Sequence, residues 1–392
     1  MPWSETTPMD QKTQFIADYL RQSLSMSELC DLYGISRKTG YKLVERYLKH
    51  GPSGLEERSR KPSSSPNHTP EHIVEAIVAL RQRHPSWGAK KLLPILEKRY
   101  PNWDLPGRST VCDILSRQGL VPKKRMRRHI GHPGKPSSSI LAPNDCWSAD
   151  FKGQFKTGDG LYCYPLTVTD GFSRYLFACE GLGSTSVAES KPVFTRIFKE
   201  YGLPQRIRTD NGVPFATNSL ARLSSLSAWW VRLGILPELI EPGKPQQNGR
   251  HERMHRTLKA ETTRPPARTC RGQQRKFDHF QQEFNFERPH EALDMQTPAS
   301  LYESSSREMP NKIPPLEYPD RFEVRYVSAN GGIRWKKDWV NVSITCVGEY
   351  VGLEDIDDGI WNVYFGPLKL GRLLERHMRI EDAFGRLKRH NV

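Results

Sequence analysis

The chain has 392 residues, 36 % apolar and 26 % charged, which is too long for one small core and polar enough for extensive contact with water. Its 59 Lys and Arg outnumber 44 Asp and Glu for a formal net charge of +15, so a polyanionic partner, nucleic acid first, is expected rather than a membrane surface. The mean hydropathy of −0.66, the lack of any apolar run near eighteen residues and an N-terminus without a basic or apolar leader exclude a spanning helix and argue against secretion. The seven cysteines are odd in number, scattered and without a Cys-x-x-Cys pair, which reads as reduced thiols and not as a disulfide framework or a zinc site. His129 and His132 stand in a basic tract and read as solvated.

In chain order, residues 1–50 open with Phe15, Ile16, Tyr19 and Leu20 at helical spacing. Ser27 to Tyr33, Gly34 and Ser36 then lead into Arg37 to Tyr47. That is a short helix, a glycine turn, a serine cap and a second helix carrying Arg37, Lys38, Lys42 and Arg46. The pattern is that of a helix-turn-helix; an ordinary helical hairpin with solvated lysines and arginines is the alternative. Gly51 to His68 reads as a Gly-, Ser- and Pro-rich linker. In 69–120 the periodicity returns with Ile73, Ile77, Leu80, Leu92 and Leu96. Thr69-Pro70 is expected to cap one helix, and Ser109 to Gln118 to form another. This is a second helix-turn-helix or a plain helical bundle. The segment 121–143 carries Lys123, Lys124, Arg125, Arg127, Arg128 and Lys135, which suit a phosphate-contacting linker.

From residue 144 the texture changes. Short β-rich runs at Cys146–Phe155, Tyr162–Thr169 and Tyr175–Cys179 precede a helix at Val187–Tyr201. A strand at Gln205–Asp210, a helix at Leu220–Leu233, a strand at Glu238–Glu241 and a helix at Asn248–Glu261 follow, which predicts a mixed α/β domain over 144–268. A helical extension with Arg275–Glu287 fills 269–309. Beyond the Pro-rich 310–319 stretch, 318–392 predicts a small β-barrel of about five strands.

The chemistry is expected in the α/β domain. Asp150 lies in its first strand, Asp210 ends a later strand before Asn211-Gly212, and Glu252 falls early in the helix after Pro245-Gln246-Gln247. Carboxylates at a strand centre, an adjacent strand end and a facing helix can converge at a sheet edge. Three oxygen donors suit hard cations such as Mg²⁺, with Mn²⁺ as substitute. Two such ions would serve a phosphoryl displacement.

The segments Trp147-x-x-Asp150-Phe, Arg208-Thr-Asp210-Asn-Gly212-x-x-Phe215 and Pro242-Gly-Lys-Pro-Gln246-x-x-Gly249-x-x-Glu252, with Arg288-Pro-His290 behind them, resemble the DDE integrase core. The likeness is nearest to bacterial insertion-sequence transposases with a retroviral-type catalytic domain. It covers roughly residues 145–302 and implies an RNase H-like fold with Asp150, Asp210 and Glu252 as catalytic and metal-holding acids. It also implies Lys259 at a position that approaches the DNA end. The implied activity is cleavage at DNA 3′ ends and strand transfer into target DNA, on double-stranded DNA bearing terminal inverted repeats. A homo-oligomer on DNA, no membrane and a cytoplasmic, nucleoid-associated location go with it. The rivals are a nuclease without strand transfer and a DNA-binding regulator with an inert core. Residues 211–251 make a longer interval than is common in that family, and the excess is expected to lengthen the helix around Ser224–Trp230. Asp145, Asp159 and Asp170 read as turn residues, and Trp229-Trp230 as an interface anchor or a core pair.

Overall fold

The computed structural model describes residues 7–57, 68–121, 139–240 and 249–382. The chain separates into two compact units, Met1–Thr69 and Pro70–Val392. The basic tract with Lys123, Lys124, Arg125, Arg127 and Arg128, and the 242–246 motif, lie outside the described residues.

The first unit holds three helices, α1 (Pro8–Arg21), α2 (Met26–Leu32) and α3 (Arg37–His50). Each begins where a side chain satisfies the free N–H groups of the first turn. Thr7 with Asp10 and Ser25 with Glu28 form reciprocal capping boxes, and Ser36 accepts from the Thr39 N–H. Gly34, at φ 63°, makes the tight turn between α2 and α3. Phe15, Ile16, Leu29, Cys30, Leu43 and Val44 form the core. Gly40 on α3 is required by the helix crossing, because a Cβ there would sit 2.6 Å from Cys30 Sγ. Arg37, Lys38 and Lys42 are exposed and Arg46 is half-buried, so α3 presents a basic face. The expected linker after α3 begins later than the sequence suggests. Gly51–Leu55 form a 3-10 turn, and Leu55 is buried in the core.

The second unit starts with α4 (Glu71–Arg83), α5 (Ala89–Arg99) and α6 (Arg108–Arg117), packed around Ile77, Trp87, Leu92 and Val111. Pro70, not Thr69, is the cap residue of α4, and it gives no side-chain cap. These helices sit on the central domain through polar contacts. Arg83 pairs with Glu287 at 3.2 Å, Ser86 donates to Glu261, and Lys90 pairs with Glu291.

The central sheet contains β1 (Cys146–Phe151), β2 (Phe155–Lys156), β3 (Tyr162–Asp170), β4 (Leu176–Leu182), β5 (Arg206–Thr209) and β6 (Leu236–Leu239). Its order is β2-β3-β1-β5-β6, with β4 paired to β3. The β1, β3 and β4 pairings are antiparallel, while β5 and β6 run parallel to β1. The run that reads as one strand to Phe155 therefore splits into β1 and β2. Helix α7 (Val187–Tyr201), helix α8 (Ser225–Arg232), Trp147, Phe177 and Phe194 build a largely aromatic core.

Two expectations fail in this unit and one open alternative is decided, each for a physical reason. The predicted helix Leu220–Leu233 is broken: Ala221 and Arg222 take positive φ, and Ser224 starts α8 afresh with a capping box. Residues 216–223 form a loop closed by the Ala216–Leu223 bridge. Trp230 is fully buried and Trp229 nearly so; both are core residues and neither is an interface anchor. Third, the C-terminal segment is not a closed barrel of five strands. Its described residues form seven: β7 (Glu323–Tyr326), β8 (Gly332–Trp335), β9 (Asp338–Asn341), β10 (Tyr350–Asp357), β11 (Ile360–Phe365), β12 (Leu368–Leu374) and β13 (Arg379–Glu381). They form an open five-stranded antiparallel sheet, β13-β12-β11-β10-β7, and a separate β8–β9 hairpin. Its core continues into the loop of the central domain through Leu220 and Leu223 and into α8 through Val231. The Pro-rich stretch before it is packed too: Tyr318 donates to Tyr350 O at 2.7 Å and accepts from Gly366 N–H.

Candidate active site

Sheet register brings the first two acids together. β1 and β5 pair in parallel up to Ser148 opposite Arg208, so Asp150 and Asp210 follow the paired residues on adjacent strands, and Asp210 acts electrostatically on Asp150. Asp210 sits past the end of β5, where its Oδ1 accepts from the Gly212 N–H at 3.1 Å. Gly212 belongs at that turn because a Cβ would lie only 3.1 Å from Asp210 Oδ2. Asn211 Nδ2 donates to Ile240 O, tying the turn to the end of β6.

The third acid comes from helix α9 (Gly249–Thr262). Its buried face is His251, Met254, His255, Leu258 and Thr262. Met254 and Leu258 pack with Phe277 and Phe280 of α10 (Cys270–Gln282). Glu252 and Lys259, two turns apart, are both exposed. Burial first, then the neighbouring Asp210 and to a smaller extent Glu252, together raise the Asp150 carboxyl to about 7. The Phe151 backbone N–H and Lys152 oppose that rise. Asp210 and Glu252 thus act on Asp150 where β1, β5 and α9 meet. Such an oxygen-rich, electron-rich cluster fits divalent cations.

Two histidines that the sequence reading passed over lie directly beneath. His251 Nε2 and His255 Nε2 each lie 2.6 Å from Thr167 Oγ1, in the middle of β3. His251 Nδ1 lies 3.2 Å from Thr169 Oγ1, and His255 Nδ1 lies 3.6 Å from Asp150 Oδ2. Thr167 Oγ1 also donates to the Asp150 carbonyl at 3.1 Å. Burial drives both imidazoles towards the neutral form, His251 down to about 3 and His255 lower still with help from His251 and Lys152. The signal was present in the sequence: His251-Glu252-Arg-Met-His255 has the i, i+4 histidine spacing of a metal-binding helix. Here, however, the point on which the two Nε2 atoms converge is occupied by the Thr167 hydroxyl.

The other aspartates have structural roles. Asp170 accepts from the backbone N–H groups of Asn144, Phe172 and Ser173, Asp145 from those of Leu141 and Ala142, and Asp159 from Thr157 Oγ1 and the Leu161 N–H. Arg37 on α3 donates to Ser27 Oγ, while Lys38 and Lys42 stand free of the core on the same helix.

Comparison with known proteins agrees with this architecture. The integrase core domain family matches residues 141–245 and 233–298, a span that includes all three acids and both histidines. A helix-turn-helix domain matches residues 11–63 and a homeodomain-like domain residues 39–115. The class is that of an RNase H-like integrase core joined to helix-turn-helix DNA-binding domains.

Among relatives, the 31.7 kDa protein of insertion element IS407 from Burkholderia multivorans is 24 % identical, over 70 % of this chain and 94 % of its own length. The 39.2 kDa protein of insertion element IS476 from Xanthomonas euvesicatoria is 25 % identical, over 70 % and 79 %. These relatives and the integrase-core match support the resemblance to transposases of bacterial insertion sequences. Among solved structures, the catalytic core domain of HTLV-2 integrase in complex with magnesium is similar at 15 % identity and a TM-score of 0.31, covering 42 % of this chain and 99 % of that one. Among the described residues, no helix is long and apolar enough to cross a membrane.

Proposed function

We propose that the chain binds the terminal inverted repeats of its element, hydrolyses a phosphodiester to free a 3′-hydroxyl, and joins that hydroxyl to target DNA. In the first step a water oxygen bonds to phosphorus and the strand's 3′ oxygen leaves. In the second, that 3′ oxygen attacks a target phosphodiester and displaces the target's own 3′ oxygen. The observation that supports this reading is that Asp210 and Glu252, which follow β5 and begin α9, both act electrostatically on Asp150 of the adjacent strand β1.

Asp150, Asp210 and Glu252 would hold Mg²⁺ or Mn²⁺, two ions per site. When bound, these ions neutralise phosphate charge and polarise the attacking and leaving oxygens. The chain's own residues position and steer. Lys259, exposed two turns along α9 from Glu252, would contact the backbone of the DNA end. On α3, Arg37, Lys38, Lys42 and Arg46 would read the repeat, and the basic tract Lys123, Lys124, Arg125, Arg127 and Arg128 would neutralise phosphates.

Joining of a labelled end to a plasmid tests the reading. Asp210→Asn and Glu252→Gln should each abolish cleavage and joining while footprints on the element ends persist. Cleavage without joining by the parent protein would make it a nuclease, and end binding with neither reaction a regulator.

A further inference from the structure

We infer that His255 supplies a nitrogen ligand to the divalent cation held by Asp150, so that the centre is three carboxylates with one imidazole. The inference rests on the reading of Asp150 as a metal ligand.

Geometry carries it. The His255 side chain is 5 % exposed, and its Nδ1 lies 3.6 Å from Asp150 Oδ2. Two donors bound at roughly 2.0–2.2 Å to one cation are separated by about 3–3.4 Å, so a small closure would let both meet a single ion. The other ring nitrogen is already fixed. With the one Thr167 Oγ1 proton assigned to the Asp150 carbonyl, 3.1 Å away, the hydroxyl accepts from both Nε2 atoms and both histidines carry their proton there. That leaves the His255 Nδ1 lone pair facing Asp150. A ligating imidazole whose second N–H is held by a protein oxygen is the usual arrangement at metal centres. His251 differs: its Nδ1 accepts from Thr169 Oγ1 at 3.2 Å, so both of its nitrogens are engaged. The histidine pair therefore cannot act together as a zinc helix does, and only His255 is free to turn a nitrogen towards the carboxylates.

The consequence is a metal preference. Imidazole is a transition-metal ligand that Mn²⁺ accepts beside its preferred oxygen donors, whereas Mg²⁺ keeps to carboxylates, phosphates and water. Full-length protein loaded with Mn²⁺ can be examined by pulsed electron spin resonance for modulation from a coordinated ¹⁴N. The parent should show it, His251→Gln should keep it, and His255→Gln should lose it. Calorimetry should find Mn²⁺ binding to His255→Gln weakened about tenfold, with Mg²⁺ binding changed much less. No nitrogen modulation in the parent, a measurement that needs no variant to fold, would overturn the inference. So would its persistence in His255→Gln, or an equal loss of both metals in that variant, which would make His255 a purely structural residue. Asp150→Asn separates the two levels. If it binds Mn²⁺ as tightly as the parent, the proposed function fails; if it loses the metal while the parent shows no nitrogen, this inference alone fails.

Discussion

Asp150 carries a charge that the metal-free fold holds at a cost, so Asp150→Asn should be more stable than the parent protein above neutral pH. Burial, Asp210 and Glu252 together push this carboxyl from 3.8 up to about 7. An acid whose folded pKa lies above its unfolded pKa binds its proton more tightly when folded. Stability is therefore highest below about pH 4, declines as pH rises, and reaches its lower plateau above about pH 7. A shift of about three units, at roughly 1.4 kcal/mol each, corresponds to on the order of 4 kcal/mol at pH 8 and to less than half of that near pH 5. Asn does not ionise, and its Oδ1 can still accept the Phe151 N–H that now serves the carboxylate. Urea unfolding in the presence of a chelator measures the difference, followed by tryptophan fluorescence to which the buried Trp147 and Trp230 contribute. The variant should unfold at higher urea than the parent, by more at pH 8 than at pH 5. Added Mn²⁺ should stabilise the parent and leave the variant unchanged. Equal stabilities at pH 8, or a larger gain at pH 5, would refute the crowding of three carboxylates at this point.

Two further outcomes concern DNA. Alanine at Arg37, Lys38 or Lys42 should weaken end binding, by about 1–3 kcal/mol with relaxed sequence preference where a base edge is read, or by a flatter salt dependence where a phosphate is held. Footprints unchanged in all three variants would move recognition to the α4–α6 helices. Because two element ends must be joined while one three-carboxylate site processes one strand at a time, a multimer on DNA is expected. Mixing Asp150→Asn protein with the Arg37, Lys38 and Lys42 triple alanine variant should restore joining that neither supports alone, and a joining complex sized at one protomer would contradict it.

The backbone settings of the three candidate acids were legible in the sequence because each stands in a local motif: late in a strand for Asp150, just past a strand end with a glycine turn for Asp210, the first turn of a helix for Glu252. The caps at Ser36 and the glycine turn at Gly34 were equally local, and α3 begins where they place it. What was not legible depends on contacts distant in sequence. Leu220 and Leu223 look like the start of an amphipathic helix, yet they serve the core of the C-terminal sheet, and that pull breaks the helix at Ala221. The strands β12 and β13 were missed because Leu368–Leu374 has apolar residues at nearly helical spacing, and only pairing with β11 makes it extended. His251 and His255 escaped notice because their partners, Thr167 and Asp150, lie some eighty or more residues away.

The polar pocket under α9 also decides how firmly Glu252 is placed. Apolar packing through Met254 and Leu258 holds the helix against α10 but permits sliding and rotation, because dispersion contacts are weakly directional. Metal-holding carboxylates tolerate only about 0.5 Å of misplacement. The two imidazoles that meet on Thr167 Oγ1 supply the missing directionality, since both bonds are 2.6 Å and both come from the helix turn that carries Glu252. Removing the hydroxyl should therefore harm chemistry more than it harms the fold. Thr167→Val keeps the shape but removes the oxygen both Nε2 atoms share, leaving buried polar atoms unpaired at about 1–3 kcal/mol each and freeing α9 to shift. Thr167→Ser keeps the oxygen. Serine should thus retain joining near the parent level, whereas valine should lose most of it while still protecting element ends in a footprint. If valine and serine join DNA equally well, the histidine–threonine cluster does not position Glu252, and the helix must be held by its apolar face alone.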